Sequence, residues 1–232
     1  MRISKKLFLL LFFILLLFSS KIVQGHSMRK QLPLQNINNY NILVDITEFK
    51  LYLINTANNE IIKTYPIAGG KTSTPSPYGT WVIVKKDSNW GKGFGSRWMK
   101  LNAPWGTYGI HGTNKPLSIS SPYSLGCIRM FNNDIEELYK LVDCGTVVVI
   151  YGGSYALSWN TFRNLEPGDR GADVFEVQRK LKNNGYFPGK PDGAYGEVMK
   201  GEVIRFKKDH NLKFTHIIDK ELYDALGIIP FD

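Results

Sequence analysis

"NILVDITEFKLYLINTANNEIIKTYPIAGG", residues 41–70, holds three apolar runs separated by polar turn-formers. In the second run Leu51 and Leu53 alternate with Tyr52 and Ile54, the period-two spacing of a half-buried strand. β-Branched and aromatic residues fill all three runs, and "NTANNE" has the Asn-rich chemistry of a turn. The predicted strands are "NILVDIT" (41–47), "FKLYLINT" (49–56) and "IIKTYPIAGG" (61–70). Further on, "KTSTPSPYG" (71–79) reads as a loop and "TWVIVKK" (80–86) as a fourth strand. Residues 88–108 are a Gly/Trp/Ser-rich stretch to which no element is assigned, and "YGIHG" (108–112) is a short strand. "NNDIEELYKLV" (132–142) is a helix: Asn133 or Asp134 can cap it, and Ile135, Leu138, Tyr139, Leu141 and Val142 form its apolar stripe. "TVVVIYG" (146–152) is a buried strand. Many strands, one helix and no βαβ alternation predict a mainly β domain over 41–151.

The text after residue 164 is different in kind. "LEPGDRGADVFEVQRKLKNNGY" (165–186) carries Val174, Val177 and Leu181 on one helical face and stops at Gly185. "FPGKPDGAYG" (187–196) is a turn-rich loop, and "EVMKGEVIRFKKDHNL" (197–212) aligns Met199, Val203 and Phe206. Asp219 can cap a third helix whose inward residues are Leu222, Ala225 and Leu226. The result is a small three-helix bundle over 165–229, joined by a linker at 152–164, so the chain is α+β overall.

At the other end, basic residues precede twelve unbroken apolar residues at 7–18, and Ser19, Ser20 and Lys21 follow. A membrane span needs about 20 apolar residues, so this length fits a signal peptide over 1–25, cut after Gly25. An uncleaved anchor is the alternative; either would place the rest of the chain outside the cell. Residues 26–40 are a polar linker. The formal charge of +9 is uneven: residues 26–164 hold 14 basic and 8 acidic residues, whereas 165–232 hold 11 and 12. The surplus suits an anionic cell wall or a merely solubilising surface. No Lys/Arg stripe interleaved with aromatics and no zinc-ligand spacing is present, so neither nucleic acid nor a metal is expected, and no cofactor is implied. His26, His210 and His216 lack acidic or thiol partners at such spacing and receive no role.

Chemistry concentrates in "HGTNKPLSISSPYSLGCIRM" (111–130), which holds one of four histidines and one of two cysteines. A thiol becomes a strong nucleophile when ionised, and an adjacent imidazole assists that ionisation. Ser, Pro and Gly between His111 and Cys127 allow the chain to loop back and bring them together. Gly126 lets the backbone approach a substrate, and N–H groups near Gly126 and Cys127 can hold an oxyanion. Arg129 can grip a carboxylate or buttress the loop. If Cys127 is catalytic, assisted ionisation predicts alkylation below pH 7. A Cys127–Cys144 disulfide would consume this nucleophile, and Cys144 is expected to be a buried small hydrophobe.

The residues "IHGT", "SLGCIRM" and "ND-I-x-x-L-Y", with "GGKTSTPSPYGTWVI" upstream, resemble the L,D-transpeptidase catalytic domain of bacterial cell-wall enzymes over residues 42–151. The resemblance implies a sandwich-like β fold of mixed sheets with the site in a cleft. It implies a peptidoglycan tetrapeptide stem as substrate, with Cys127 attacking the carbonyl of stem residue three, D-alanine leaving, and an amine of a second stem resolving the thioester. His111 matches the family's general base and Cys127 its nucleophile. Ser124, Gly126, Arg129 and Gly112 match motif positions that orient substrate or site. This sequence departs from the pattern at Leu125, where a second His is usual, and the spacer "NKPLSISSPY" lacks a glycine often found there. The same chemistry with water as acceptor would make an L,D-carboxypeptidase, and a non-catalytic wall-binding protein is a further alternative. Sortase-like and papain-like readings fail on the spacing and on the order of His and Cys.

Residues 165–226 resemble a peptidoglycan-binding three-helix domain through Leu-x-x-Gly-x-x-Gly, Val-x-x-Val-Gln-x-x-Leu, Gly-Tyr and the turn Asp192-Gly193-Ala194-Tyr195-Gly196. The usual second Asp-Gly turn is missing. Asp192, Gly193, Tyr195 and Gly196 either build a tight loop or border a groove for glycan or stem peptide. The implied partners are stem peptides and glycan, with membrane contact only through the N-terminal segment, and the implied location is the cell wall.

Overall fold

The computed structural model describes residues 39–88, 90–91, 93–152 and 163–228, and among these residues nine strands and four α-helices are formed. The signal peptide expected at 1–25 and nearly all of both expected linkers lie outside the described residues. The strands are β1 (Tyr40–Asp45), β2 (Lys50–Asn55), β3 (Ile61–Gly70), β4 (Gly79–Asp87), β5 (Trp98–Leu101), β6 (Gly109–His111), β7 (Pro122–Ser124), β8 (Ile128–Met130) and β9 (Val147–Tyr151). Helix α1 (Asn132–Leu141) lies between β8 and β9, and α2 (Ala172–Asn183), α3 (Glu197–Asp209) and α4 (Lys220–Ala225) follow.

The alternation read from the sequence is the alternation of burial. Leu51 and Leu53 are fully buried in β2, while Tyr52 and Ile54 are half-buried. The turns around this hairpin have side-chain causes. Asp45 Oδ1 accepts from the Thr47 and Glu48 N–H groups at 2.8 and 3.0 Å. Asn55 Oδ1 accepts from Ala57 N–H at 2.8 Å, and Asn58 Oδ1 from Glu60 N–H at 3.1 Å.

Pairing runs β2-β1-β9-β4-β5-β6-β8-β3 and returns to β2, with β7 beside β3, so the sheet closes into a barrel-like circuit. Closure is the work of β3. Its first half pairs with β2 at Leu51↔Tyr65, and its second half pairs with β8 at Ile67↔Met130. Closing removes the sheet edges that would otherwise present unpaired backbone. The sheet is mixed as expected: β1–β9, β6–β8 and β3–β7 are parallel, and the other pairs antiparallel. Val44, Leu51, Leu53, Ile67, Met99, Ile110, Ile128 and Val148 fill the interior, with Ile135 and Leu138 of α1 packed on the same core.

Several local expectations need correction. Residues 88–108 contain a strand, β5, and two further strands, β7 and β8, flank the Gly126-Cys127 turn. Neither Asn133 nor Asp134 caps α1; Phe131 occupies the N-cap position with no side-chain hydrogen bond. Leu141 is exposed, whereas Ile135, Leu138 and the following Val142 are buried in the core and Tyr139 packs against it. Cys144 is exposed rather than buried. It lies in the turn that Asp143, Gly145 and Thr146 make before β9, where Thr146 N–H donates to Asp143 O and Gly145 N–H to Ile83 O.

The helical bundle buries Val174, Val177 and Leu181 of α2, Met199, Val203 and Phe206 of α3, and Leu222 and Leu226 at α4, as the periodicity required. Each such side chain contributes about 1.5–3 kcal/mol relative to exposure. Tyr223, not Ala225, completes the inner face of α4. Asp219 caps α4 by accepting from Leu222 N–H at 3.1 Å, and its other oxygen accepts from the fully buried Lys207 at 2.8 Å. The two domains belong to one compact unit, with Phe175 of α2 packed against the core of the β domain. Among the described residues, no helix is long and apolar enough to cross a membrane.

Candidate active site

Strand geometry answers how residues sixteen positions apart meet. Strands β6 and β8 are parallel neighbours in which His111 pairs with Arg129. Directly paired residues share a face, and residues two apart along a strand share one as well. Cys127, just before β8, therefore joins Arg129 and His111, while Ile110, Ile128 and Met130 turn inward and are fully buried. Trp98 pairs with His111 from the other side. All four residues line a single cavity of about 490 Å³, with Thr107, Ser124 and Leu125 at its wall.

His111 is 2% exposed and wedged among aromatic rings, with centroids of Phe94 and Trp98 at 5.0 and 5.5 Å. Its Nδ1 lies 2.5 Å from Gly112 O. A carbonyl only accepts, so Nδ1 carries the proton and Nε2 has a free lone pair in the neutral ring. Burial pushes the imidazole down to about 4; the Gly112 and Phe94 carbonyls oppose this and the Arg129 charge adds to it. Burial also pushes the Cys127 thiol up, against the Gly109 backbone and Arg129, which favour the thiolate. Desolvation disfavours both charged forms, so burial works against the assisted ionisation that alkylation below pH 7 would require. The thiol lies 3.8 Å from Thr107 O, a weak sulfur hydrogen bond.

The turn carrying the thiol is set by Ser124 and Gly126. Ser124 is fully buried; its Oγ donates to Cys127 O at 2.5 Å and accepts from Gly126 N–H at 3.0 Å. The Gly126 amide is thus engaged inside the turn, unlike the oxyanion donor expected from sequence. Its glycine is needed for another reason. Gly126 has φ of +111°, and a Cβ there would lie 2.6 Å from Tyr108 Cε1. Gly112 meets a similar limit, since a Cβ would lie 2.3 Å from Asn132 Oδ1, which accepts from Ser96 N–H at 3.1 Å. Arg129 is half-buried over the Tyr123 ring at 5.5 Å. Its Nη1 and the Trp98 Nε1 are two of the three buried polar side-chain atoms without a hydrogen-bond partner among the described residues, and both residues line this cavity. Leu125 stands 74% exposed at the rim.

Sequence reading did not single out Thr107, Tyr108, Phe94, Trp98 or Asn132. The signal available is the aromatic density of residues 90–108, a stretch whose pattern assigns no element. No cluster of three or more metal-ligating side chains occurs among the described residues.

Residues 39–150 match the family model of the L,D-transpeptidase catalytic domain. They are an L,D-transpeptidase catalytic domain. Residues 170–226 match the model described as "Putative peptidoglycan binding domain", and this peptidoglycan-binding domain follows the catalytic one. The chain is 46% identical over 111 residues to "Putative L,D-transpeptidase YkuD" of Bacillus subtilis, covering 48% of this chain and 65% of that protein. It is 30% identical over 182 residues to "Probable L,D-transpeptidase ErfK/SrfK" of Escherichia coli, covering 66% of this chain and 58% of that one. The NMR structure of the catalytic domain from the E. faecium L,D-transpeptidase is 22% identical with a TM-score of 0.42, covering 49% of this chain and 98% of that one. The chain spans about half to two thirds of the length of the curated relatives it matches.

In the peptidoglycan-binding domain, Asp192, Gly193 and Ala194 are bolted to α2 by Gln178. Its Oε1 accepts from the Asp192 and Gly193 N–H groups at 2.9 and 2.8 Å, and its Nε2 donates to Asp192 Oδ1 at 2.8 Å and to Ala194 O at 3.0 Å. Tyr195 is 2% exposed and donates to His216 O. Gly196 is exposed and precedes α3 as its N-cap residue.

Proposed function

We propose that the chain is an exported L,D-transpeptidase that cross-links peptidoglycan stem peptides through a thioester on Cys127. The observation that carries this reading is the meeting of Cys127, His111 and the unpartnered Arg129 Nη1 in one cavity of an L,D-transpeptidase domain. Nε2 of His111 takes the thiol proton as sulfur attacks the carbonyl of stem residue three. The C–N bond to the terminal D-alanine breaks, and the imidazolium returns the proton to the departing amine. A second stem's side-chain amine then attacks the thioester, an amide forms, and the thiol is restored. A neutral pair suits this order, because the proton moves during attack rather than beforehand. Arg129 would hold a carboxylate of the donor, satisfying its buried donor. Gly112, Ser124 and Gly126 shape the turn and the base. Asp192, Gly193, Tyr195 and Gly196 support the wall-binding module, which raises local substrate concentration without chemistry. The N-terminal 25 residues act as the export signal.

Mass spectrometry of purified tetrapeptide muropeptides incubated with the mature protein tests the reading. Cross-linked dimer is the expected product. Trimmed tripeptide alone would make the protein an L,D-carboxypeptidase, and unchanged substrate would make it a binding protein.

A further inference from the structure

The β domain and the bundle meet through aromatic rings. Phe175 of α2 lies with its centroid 5.8 Å from that of Trp81 and 5.7 Å from that of Trp105, and the two tryptophans are 5.2 Å apart edge-on. Gly193 presses on the same indole: a Cβ at this residue would lie 2.4 Å from Trp105 Cε3. Its φ of +70° also favours glycine. The Asp192-Gly193 turn, bolted down by Gln178, is thus the surface against which Trp105 rests.

From Trp105 the contacts lead to the thiol. The Trp105 and Tyr108 rings meet edge to face, with centroids 6.2 Å apart. The Tyr108 ring fills the space that a Cβ on Gly126 would need, next to Cys127. The Thr107 carbonyl, in the same short segment, accepts from the thiol. A second route runs through Trp81, whose Nε1 donates to Pro77 O at 2.7 Å; the Pro75 carbonyl two residues earlier lies 3.1 Å from the same missing Cβ.

We propose that the peptidoglycan-binding domain is a positioning element of the catalytic site. Phe175 and Gly193 hold Trp105, and through Trp105 and Tyr108 they hold the turn that carries Cys127. Phe175, Gly193, Trp105 and Tyr108 are positioning residues; none of them reacts. The proposal rests on the transpeptidase reading for its kinetic consequence, but its effect on the thiol is independent of any substrate. The physical reason is that the segment 102–108 has no helix or strand of its own, so its order depends on what packs against it.

The test uses the full mature chain. Phe175→Ala leaves every residue of the catalytic domain in place. Expected is a kcat on tetrapeptide muropeptides lower by about tenfold, with KM and wall pelleting unchanged. Alkylation of Cys127 by iodoacetamide at pH 8 should rise about fivefold, as loosened packing lets water reach the thiol. Phe175→Tyr, which keeps the ring, should restore both, and Trp105→Ala should reproduce them without adding to Phe175→Ala. Wild-type kcat and alkylation in Phe175→Ala would overturn the proposal, as would a loss confined to wall binding. If Phe175→Ala melts below the assay temperature, Phe175→Leu is read in the same way. A wild-type protein that turns over no muropeptide would refute the transpeptidase reading, while the alkylation comparison would still decide this one.

Discussion

Burial pushes the Cys127 thiol up and the His111 imidazole down, and both shifts have measurable consequences. Cys127→Ala should abolish turnover while costing less than about 1.5 kcal/mol of stability, since a similar small volume is kept; retained cross-linking would end the nucleophile assignment. Alkylation of the wild-type thiol should be slow at pH 7 and climb only as pH passes the ordinary thiol range. A plateau reached below pH 7 would show that an ion pair already exists. His111 works on stability with a definite sign. Its folded value of about 4 is below the ordinary 6.5, so well above pH 6.5 the ring is neutral whether folded or unfolded. As pH falls from 6.5 toward 4 the unfolded chain takes up a proton that the folded chain refuses. Stability on the order of 3 kcal/mol is lost across that window. Melting curves at the two pH values should therefore separate more for wild type than for His111→Gln, and equal separations would refute the shift.

The turn between β7 and β8 is built to a backbone shape that only glycine takes. Gly126→Ala should cost on the order of 1–3 kcal/mol through its φ of +111°, and more through its collision with Tyr108. Its kcat should fall well before its fold is lost; a variant with full activity would mean the turn tolerates a different path. In the bundle, α3 and α4 are tied by Lys207, which no sequence pattern marked. Lys207→Ala leaves the Asp219 carboxylate without its partner and should destabilise by about 2–3 kcal/mol, below the full cost of breaking a buried pair because Asp219 is partly exposed. Denaturant unfolding of the intact chain measures it. The helical stripes through Val174, Val177, Leu181 and Met199, Val203, Phe206 were readable because a 3.6 period is local. Lys207 was not, because its neighbours Thr215 and Asp219 come close only after the chain reverses.

Across the molecule the two domains share an aromatic seam. Removing residues 152–232 would strip Phe175 from Trp81 and Trp105 and expose them together. The truncated chain should bind walls less, melt earlier and retain reduced activity on soluble muropeptides. Sedimentation with purified walls, thermal melts and product analysis check the three parts, and undiminished activity would count against any positioning by the bundle.

Local chemistry determined the boundary between a strand-rich and a helical half, the hairpins, the helical faces and the Gly126-Cys127-Ile128-Arg129 stretch, because periodicity, turn residues and motif spacing act within a few positions. Only tertiary structure decided that β3 closes the sheet, that three- and four-residue strands exist at β5, β7 and β8, and that Cys144 faces solvent. Strands so short have no stability or pattern of their own; neighbouring chains supply their hydrogen bonds. The pKa shifts of Cys127 and His111 belong to the same class, since desolvation depends on everything packed around a group and not on the residues beside it in sequence.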